Sequence, residues 1–384
     1  MYWSTLFYIS YFVYFKEFNV NLSKMKKVMF DAKEAEGGIK VIIEFYSKDE
    51  LSMALCSGVL FTEAVDSELP MVYAMVRSKT ALENLSKDSR IKTIWKDETA
   101  YAVPFPSCYY NPQLNDAVPL QGIDRIWDEG YTGKGIVIGI ADTGISDHPD
   151  LVGRILKRGN TIGNSPDDGH GHGTGCASCA GGNGKVYRGV APECSFISVK
   201  VLDDNGSGKL SSVMNGINWF MRSDLHHVDV ISLSVGASMI LNDGSDPLSQ
   251  TCALAVRKGY TVVVAAGNSG PKVGSVSVPG CREEVITVGA SDKSDRLAFF
   301  SGRGPCVDGR IKPDIVGVGV DVVMARAPGT SMGKPVDDQY TVASGTSFST
   351  PQVAGLCALM LEKKKRTPQQ IKEILMSTAK KLEV

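Results

Sequence analysis

The sequence predicts an α/β protein with a doubly wound, mostly parallel sheet and helices on both faces, preceded by a small α+β unit. Uninterrupted apolar runs recur between Gly135 and Gly289, as is typical of parallel strands that are covered on both faces. Helical stretches separate these runs, and strands that alternate with helices indicate a doubly wound sheet. A β-α-β-β-α-β pattern between residues 39 and 100 predicts the small unit, a ferredoxin-like split βαβ sandwich.

Size and composition are those of a globular protein of about two domains. The chain has 384 residues, of which 43% are hydrophobic, so global disorder is excluded. The net charge of -1 gives no reason to expect nucleic acid as a partner, and we expect a monomer. There are nine cysteines, an odd number whose spacing is not that of a small disulfide-stapled domain. Their pairing stays open.

Residues 1–24 form an aromatic-rich leader. The stretch from Tyr2 to Phe15 carries no charge, is too short for a membrane span, and lacks the basic residues that begin a secretion signal. An atypical targeting segment, a surface-lying segment and an upstream extension before a true start at Met25 all remain open. The protein would be secreted or membrane-associated if the leader is a targeting segment, and intracellular otherwise.

The small unit spans residues 38–100. We expect strands at 40–46, 60–65, 71–76 and 91–95, a helix that begins at the N-cap Ser47, and a second helix over 80–87. The sequence of this unit shows no cluster of histidines, cysteines or paired carboxylates. It is therefore predicted to assist folding or binding and not catalysis.

A linker follows over residues 101–120. Four prolines and two asparagines argue against regular structure there. Exposed linkers of this kind are preferred sites of proteolytic nicking, so we expect a processing site in it.

The large domain covers residues 121–384. Strands are expected at 135–141, 196–201, 228–234, 261–266 and 285–289, with helices over 211–221 and 247–258 between them. Ligands of doubly wound sheets bind at the carboxyl ends of the strands. The residues at those ends are therefore the candidates for a functional site.

Ser347 lies in a stretch of small residues that runs directly into a helical pattern. Pro351 falls in the first turn of this helix, where its missing N–H costs little. The backbone N–H groups and the positive end of the helix dipole would face Ser347. This position suits a serine nucleophile, although an N-cap serine is the alternative on this stretch alone.

Two strand ends carry polar side chains. Asp142 ends the first strand of the large domain and could orient an imidazole, and Asn268 ends a later strand and could direct its side-chain N–H at an oxyanion. Taken singly, each is as easily explained as a turn residue next to glycine.

The glycine-rich stretch 167–179 has two interpretations. One takes either His170 or His172 as a general base at a helix N-terminus. The other takes His170, His172, Cys176 and Cys179 as a zinc site, although all four would crowd into ten residues instead of forming two separated ligand pairs. A base is favoured, because together with a carboxylate, an amide and a serine it completes a nucleophilic constellation.

Four blocks of this sequence resemble the signature motifs of the subtilisin-like serine proteases, and the likeness extends over residues 122–382. The blocks are Ile140-Ala141-Asp142-Thr143-Gly144-Ile145, Gly171-His172-Gly173-Thr174, Ala266-Gly267-Asn268 and Gly345-Thr346-Ser347-Phe348-Ser349-Thr350-Pro351-Gln352-Val353-Ala354-Gly355. The resemblance implies a subtilisin-like fold and a serine endopeptidase that acts through an acyl-enzyme.

The resemblance also implies the role of each residue. Ser347 is the nucleophile, His172 the base, Asp142 the residue that orients the imidazole, and Asn268 an oxyanion donor. Six further residues are implied in binding a polypeptide substrate: Ser207, Gly208, Ser234, Val235, Gly236 and Ser277. Residues 38–100 resemble the inhibitory propeptide of the family, an intramolecular inhibitor that the enzyme removes itself.

The sequence departs from the family pattern around a structural calcium site. The stretch 179–187 is shorter than the usual calcium loop, although Asp150 stands where one ligand would. We therefore expect no required cofactor and no catalytic metal, with structural calcium left open. The turn at 203–206 could bind calcium, but a solvated turn is favoured.

One alternative function remains besides the zinc protein. The chain could be a catalytically silent binding protein that keeps the subtilisin fold, although the presence of all four catalytic residues argues against it.

Overall fold

A computed structural model of the chain describes residues 25–26, 38–56, 68–102, 122–163, 165–222, 227–237 and 242–382. These residues form two compact units, which divide after Asp97. The leader 1–24 and the linker after Ala102 lie outside the described residues, as does the predicted strand 60–65.

The first unit is a small sheet with two helices. Its elements are β1 (Met25–Lys26), β2 (Ile39–Phe45), α1 (Lys48–Cys56), β3 (Met71–Val76), α2 (Lys79–Lys87) and β4 (Ile91–Lys96). The strand order is β1-β4-β2-β3, and β2 pairs antiparallel with both β3 and β4. Apolar residues of β2, β3, β4 and α2 form its core. Ser47 accepts the N–H of Glu50 at 3.2 Å, which confirms the predicted cap.

The second unit contains the seven-stranded sheet that the apolar runs predict. Its strands, in chain order after β5 (Thr99–Ala102), are β6 (Val137–Asp142), β7 (Ile155–Asn160), β8 (Ser195–Lys200), β9 (Ser207–Lys209), β10 (Val230–Leu233), β11 (Val235–Gly236), β12 (Thr261–Ala265), β13 (Ile286–Ser291), β14 (Ile315–Val318), β15 (Val322–Ala325), β16 (Lys334–Pro335) and β17 (Tyr340–Ala343). The helices are α3 (Ile123–Asp128), α4 (His172–Gly181), α5 (Leu210–Phe220), α6 (Pro247–Arg257), α7 (Thr346–Lys363) and α8 (Pro368–Thr378).

The large sheet has the order β14-β13-β12-β10-β6-β8-β7, and every pair in it is parallel. After β6 the chain builds β7 and β8 on one side of it, and β10, β12, β13 and β14 on the other. The topological switch point of this sheet therefore lies at β6 and β10, where ligands of doubly wound sheets bind.

Helices cover both faces of the large sheet, as predicted. Ile138 and Ile140 belong to a core cluster that includes residues of α4 and α7, such as Ala177 and Val353. Gly139, between them, faces the opposite side of the sheet, because a Cβ atom added to it would lie 3.1 Å from the ring of Phe220 in α5. The alternation along β6 thus separates two helical layers.

Helix α7 passes through the core of the second unit. Its first turns are buried, and it packs against α4 and against strands at the centre of the sheet. No helix among the described residues is both long and apolar enough to cross a bilayer.

Candidate active site

Asp142 and His172 meet at the carboxyl end of β6. His172 Nδ1–H donates to Asp142 Oδ1 at 2.7 Å, and both side chains are buried. Asp142 Oδ1 also accepts the N–H of Thr143 at 2.7 Å. His172 is the first residue of α4, and Gly171 before it has φ of 100°, a left-handed conformation that favours glycine. This bond favours the tautomer in which Nδ1 carries the hydrogen and Nε2 carries a lone pair.

Ser347 lies in the first turn of α7, and side chains around it lie near the same imidazole. Two neighbours link the two residues: the Phe348 ring lies 5.5 Å from that of His172, and the Cys176 thiol donates to Ser347 O at 3.4 Å while lying 3.8 Å from His172 Nδ1. The Ser347 hydroxyl donates to the Ser234 carbonyl at 3.2 Å. Ser234 Oγ in turn donates to Ser347 O at 2.8 Å, which ties the helix start to the end of β10.

Asn268 follows β12 and is oriented by Thr346. Its Oδ1 accepts both the N–H and the hydroxyl of Thr346, each at 2.9 Å, so its amide nitrogen must face the other way. A Cβ on Gly345 would lie 3.0 Å from Asn268 Nδ2 and 3.7 Å from Ser347 N. The Asn268 amide nitrogen and the Ser347 backbone nitrogen therefore lie near one point beside the serine.

Asp168 organises the turn before His172, and the sequence reasoning missed it. Its carboxylate is buried and accepts five hydrogen bonds: from Thr143 Oγ1, from the N–H groups of His170, Gly171 and Thr174, and from Thr174 Oγ1. It thus connects the turn after Asp142 with the first turn of α4. An aspartate shortly before a glycine-rich helix start is the local signal that could have indicated this role.

Strand β5 lies between the two segments that the sequence predicts to bind substrate. It pairs antiparallel with β9, where Tyr101 is opposite Ser207 and Ala100 is opposite Gly208. On its other side it pairs antiparallel with β11, where Tyr101 is opposite Gly236 and Ala102 is opposite Val235. Four of the six predicted substrate-binding residues therefore pair with an extended peptide, which is this chain's own. A fifth, Ser234, precedes β11 and bonds to Ser347 as described above.

The sixth residue, Ser277, packs against two glycines of the site. A Cβ on Gly236 would lie 3.0 Å from Ser277 Cβ, and a Cβ on Gly267 would lie 2.1 Å from Ser277 Oγ. Ser277 N donates to Ala266 O at 2.8 Å, so the segment runs beside the end of β12 and next to Asn268. Just beyond it, Cys281 forms a disulfide with Cys306, a pairing that the sequence left open.

The four predicted zinc ligands do not form one cluster. Among the described residues, the His, Cys and acidic atoms close enough to share an ion belong to Asp142, His172 and Cys176. This set omits His170 and Cys179, and its His172 nitrogen is already bonded to Asp142. Burial raises the pKa of the Cys176 thiol well above its usual value and that of Cys179 to about 12, so both thiols carry their protons at neutral pH in the metal-free protein.

The surroundings of Asp150 do not fit a calcium ion. Both carboxylate oxygens accept the Tyr340 hydroxyl, at 2.9 and 3.1 Å. Arg154 donates to the backbone carbonyls of Asp150 and Gly181, oxygens of the kind that Ca²⁺ uses. A Cβ on Gly184 would lie 2.5 Å from Asp150 Oδ2, so the turn packs directly on the carboxylate. The hydroxyl and the guanidinium take the oxygens that an ion would need.

The turn at 203–206 is held by hydrogen bonds of its own. Asp203 Oδ1 accepts the N–H groups of Asn205 and Ser207, at 2.9 and 3.0 Å. Lys200 Nζ donates to Asp204 Oδ1 at 2.7 Å, and this bond is the main cause of the lowered pKa of Asp204. A lysine thus supplies the positive charge beside Asp204.

Comparisons with known proteins agree with this geometry. A model of the subtilase family, peptidase S8, matches residues 133–384. The serine protease AprX of Bacillus subtilis is 40% identical over 269 residues, which are 64% of this chain and 61% of AprX. Thermitase of Thermoactinomyces vulgaris is 34% identical over 72% of this chain and 90% of its own length. The crystal structure of a cold-adapted subtilisin-like serine proteinase superposes with a TM-score of 0.54, at 30% identity, over 65% of this chain and 84% of that one.

Proposed function

The chain belongs to the subtilase family and is a subtilisin-like serine endopeptidase, and we propose that it cleaves polypeptides through an acyl-enzyme on Ser347 and is made as a self-processed precursor. The hydrogen bond from His172 to Asp142, beside Ser347 and the Asn268 amide, is the observation that carries the mechanism. Each of these residues stands at a loop that the parallel sheet brings to one edge.

The reaction follows from the donors and acceptors at that edge. Ser347 Oγ attacks the scissile carbonyl and passes its proton to His172 Nε2, for which the hydroxyl must leave the Ser234 carbonyl. Asp142 stabilises the imidazolium that forms. The oxyanion meets Asn268 Nδ2 and Ser347 N–H; in subtilisin, loss of the corresponding amide donor costs about 100- to 1000-fold in kcat. His172 then protonates the leaving amine, and water releases the acyl group.

The position of β5 supports the precursor proposal. An extended segment that pairs with β9 and β11 occupies the place of a substrate backbone, as in β-augmentation. This segment directly follows the small N-terminal unit in sequence, so the unit and β5 together would act as an intramolecular inhibitor. Cleavage in the linker after β5 would allow β5 to leave.

The precursor proposal is tested with purified full-length chain in the absence of other proteases. Wild type is expected to cut itself in the linker, and Ser347→Ala is expected to stay intact because it has no nucleophile. Ser294→Ala, a matched change at a serine in a surface turn, should be cut as wild type is. If Ser347→Ala is trimmed at the same place, self-processing is wrong.

The register of β5 also predicts where the first cut does not fall. A peptide that pairs as β5 does presents its next residue opposite Ser234, whose carbonyl lies 3.2 Å from Ser347 Oγ. In a peptide of this sequence the leaving residue would then be Pro104, whose ring nitrogen carries no hydrogen and is sterically restricted. The first new N-terminus in the self-processing experiment is therefore expected beyond residue 104.

A catalytically silent binding protein is the second candidate, and one measurement separates it. An organophosphonate should label Ser347 in the processed protein, because an activated serine reacts with it. A folded, processed protein that shows no labelling at Ser347 would favour the binding protein.

For the region of Asp150, the proposal is that the fold requires no calcium. Tyr340 and Arg154 occupy the oxygens that a cation would bind, and both come from the chain itself. The expected consequence is a melting temperature that chelators leave unchanged.

A further inference from the structure

Lys200 is a buried lysine beside the catalytic aspartate that the proposed mechanism does not use. It is the last residue of β8, and it is opposite Asp142 in the register of β6 and β8. The residue is 6% exposed, and a lysine is rarely buried to this extent unless its ammonium group is paired. The partners of this ammonium group therefore indicate the role of the residue.

The ammonium group of Lys200 holds the turn that follows Asp142. Nζ donates to Thr143 O at 2.7 Å. The N–H of Thr143 donates to Asp142 Oδ1, which also accepts the His172 imidazole, each at 2.7 Å. The Thr143 hydroxyl accepts the N–H of Gly173, the residue after His172, at 2.9 Å. Thr143 therefore links the lysine to both Asp142 and the start of α4.

The same ammonium group holds the turn that leads into β9, a strand with two of the predicted substrate-binding residues. Nζ donates to Asp204 Oδ1 at 2.7 Å, and Asp204 lies in the turn directly before β9. The Asp204 carboxylate also packs on the turn before His172, because a Cβ added to Gly169 would lie 2.5 Å from Asp204 Oδ1. One ammonium group thus connects the catalytic pair with the start of the substrate-binding strand.

We propose that Lys200 is a positioning residue of the hydrolytic reaction, which sets Asp142 and His172 relative to the substrate backbone on β9. This inference rests on the proposed function, because it takes β9 as a strand that binds the substrate. The lysine acts through Thr143 and Asp204, and not by a contact of its own with the substrate. Such a role has a measurable effect, since a displacement of about 1 Å can lower an enzymatic rate about 100-fold.

The two partners of Lys200 should affect different kinetic constants. The bond to Thr143 O fixes the catalytic pair, so its loss should lower kcat. The bond to Asp204 fixes the strand that pairs with the substrate, so its loss should raise KM. A merely structural lysine would change the melting temperature and would leave both constants of the folded enzyme as they are.

The test uses protein obtained by expression of the full chain and a peptide 4-nitroanilide as substrate. Lys200→Met keeps the length of the side chain and removes the ammonium group, so kcat should fall by about 10- to 100-fold and KM should rise. Asp204→Ala leaves the bond to Thr143 O in place, so KM should rise about threefold while kcat stays within about twofold of wild type. In the double variant, kcat/KM should be close to that of Lys200→Met, because Asp204 acts through the lysine.

Two controls separate positioning from folding. Titration of Ser347 with a serine-directed phosphonate counts the active enzyme, so kcat is given per folded molecule. Lys363→Met removes an ammonium group that also bonds to a carboxylate, that of Glu129 at 2.6 Å, but is 50% exposed. This variant should keep the wild-type kcat and KM.

The Asp204 variant keeps the test decisive even if Lys200→Met does not fold. The Asp204 side chain is 66% exposed, so its replacement leaves the core intact. The inference is overturned if Asp204→Ala has the wild-type KM, or if titrated Lys200→Met has the wild-type kcat. If wild type cleaves no peptide and the phosphonate does not label Ser347, the proposed function fails first and this inference with it.

Discussion

Two buried aspartates near the end of β6 accept hydrogen bonds from different side chains. Asp142 accepts the His172 imidazole at 2.7 Å, and its side chain is 1% exposed. Asp150 is 6% exposed and accepts the Tyr340 hydroxyl at 2.9 and 3.1 Å. Asp142 thus accepts a hydrogen bond from an imidazole N–H, and Asp150 accepts one from a phenol hydroxyl.

The imidazole and the phenol differ in whether they change their protonation state near neutral pH. An imidazole gains and loses a proton near neutral pH, so positive charge can appear beside Asp142 during the reaction. A phenol stays neutral there, and burial together with the Asp150 hydrogen bond raises the pKa of Tyr340 further. The His148 imidazole also lies beside Asp150, with Nδ1 4.0 Å from Oδ1, but its ring nitrogens bond to the Asp150 N–H and to the Gln339 carbonyl. We therefore expect the Asp142 region to take part in the reaction and the Asp150 region to hold the loops in place.

The largest effect is expected from replacing the two aspartates by asparagine. Asp142→Asn should slow self-cleavage of the full chain by about 10⁴-fold, because the amide favours the wrong imidazole tautomer and cannot stabilise the imidazolium. Asp150→Asn keeps an oxygen that accepts the Tyr340 hydroxyl, and its self-cleavage should resemble that of wild type. The first-order rate of cleavage in the linker measures both.

Circular dichroism of both variants provides the control for folding. A slow Asp142→Asn chain with a native spectrum and melting curve supports a role in the reaction. If both substitutions slowed self-cleavage equally, the two carboxylates would have the same role, and the proposed difference between them would be wrong.

The Asp142 region could be predicted from sequence because each of its loops carries a local signal. Asp142 and Asn268 end apolar strands next to glycine, and Ser347 and His172 precede helical patterns. The parallel sheet then brings these ends to one edge, so the chemistry follows from the strand order. The strands themselves were predicted because they are buried on both faces and apolar throughout.

The Asp150 region could not be predicted in the same way. Tyr340 reaches Asp150 from β17, and nothing in its local sequence distinguishes it from any tyrosine that begins a strand. The Cys281–Cys306 pairing and the place of β5 between β9 and β11 likewise depend on packing between distant segments. Such contacts are set by three-dimensional complementarity, which periodicity does not encode.

A smaller effect is expected from Tyr340→Phe, which removes one hydroxyl and leaves Asp150 with fewer donors. The free energy of unfolding should fall by about 1.5 to 3 kcal/mol, the usual worth of a hydrogen bond to a charged group. The melting temperature of wild type should be the same in calcium and in a chelator. Any stabilisation by calcium that appears in Tyr340→Phe would come from the Asp150 oxygens that lose this donor.

The double variant Asp150→Asn, Tyr340→Phe tests whether Asp150 is the residue that binds calcium in Tyr340→Phe. It should lose any calcium response that Tyr340→Phe acquires, since the anionic ligand is gone. The proposal would be wrong if a chelator lowered the melting temperature of wild type but not that of Asp150→Asn, because calcium would then bind at Asp150.

The smallest effect is expected in alkaline solution, where the contribution of the Tyr340 hydroxyl to stability should decrease. The pKa of Tyr340 is raised above its ordinary value of 10, first by burial and then by the hydrogen bond to Asp150. Above about pH 10 the unfolded chain releases the Tyr340 proton, whereas the folded chain retains it. The unfolded state then binds fewer protons than the folded state, so the free energy of unfolding falls as pH rises. The stability that Tyr340 adds over phenylalanine should thus be constant between about pH 7 and 9 and decline above pH 10. Urea unfolding of wild type and Tyr340→Phe across this range measures the difference, and a difference that stays constant or grows at alkaline pH would mean that the hydroxyl is not held by the carboxylate.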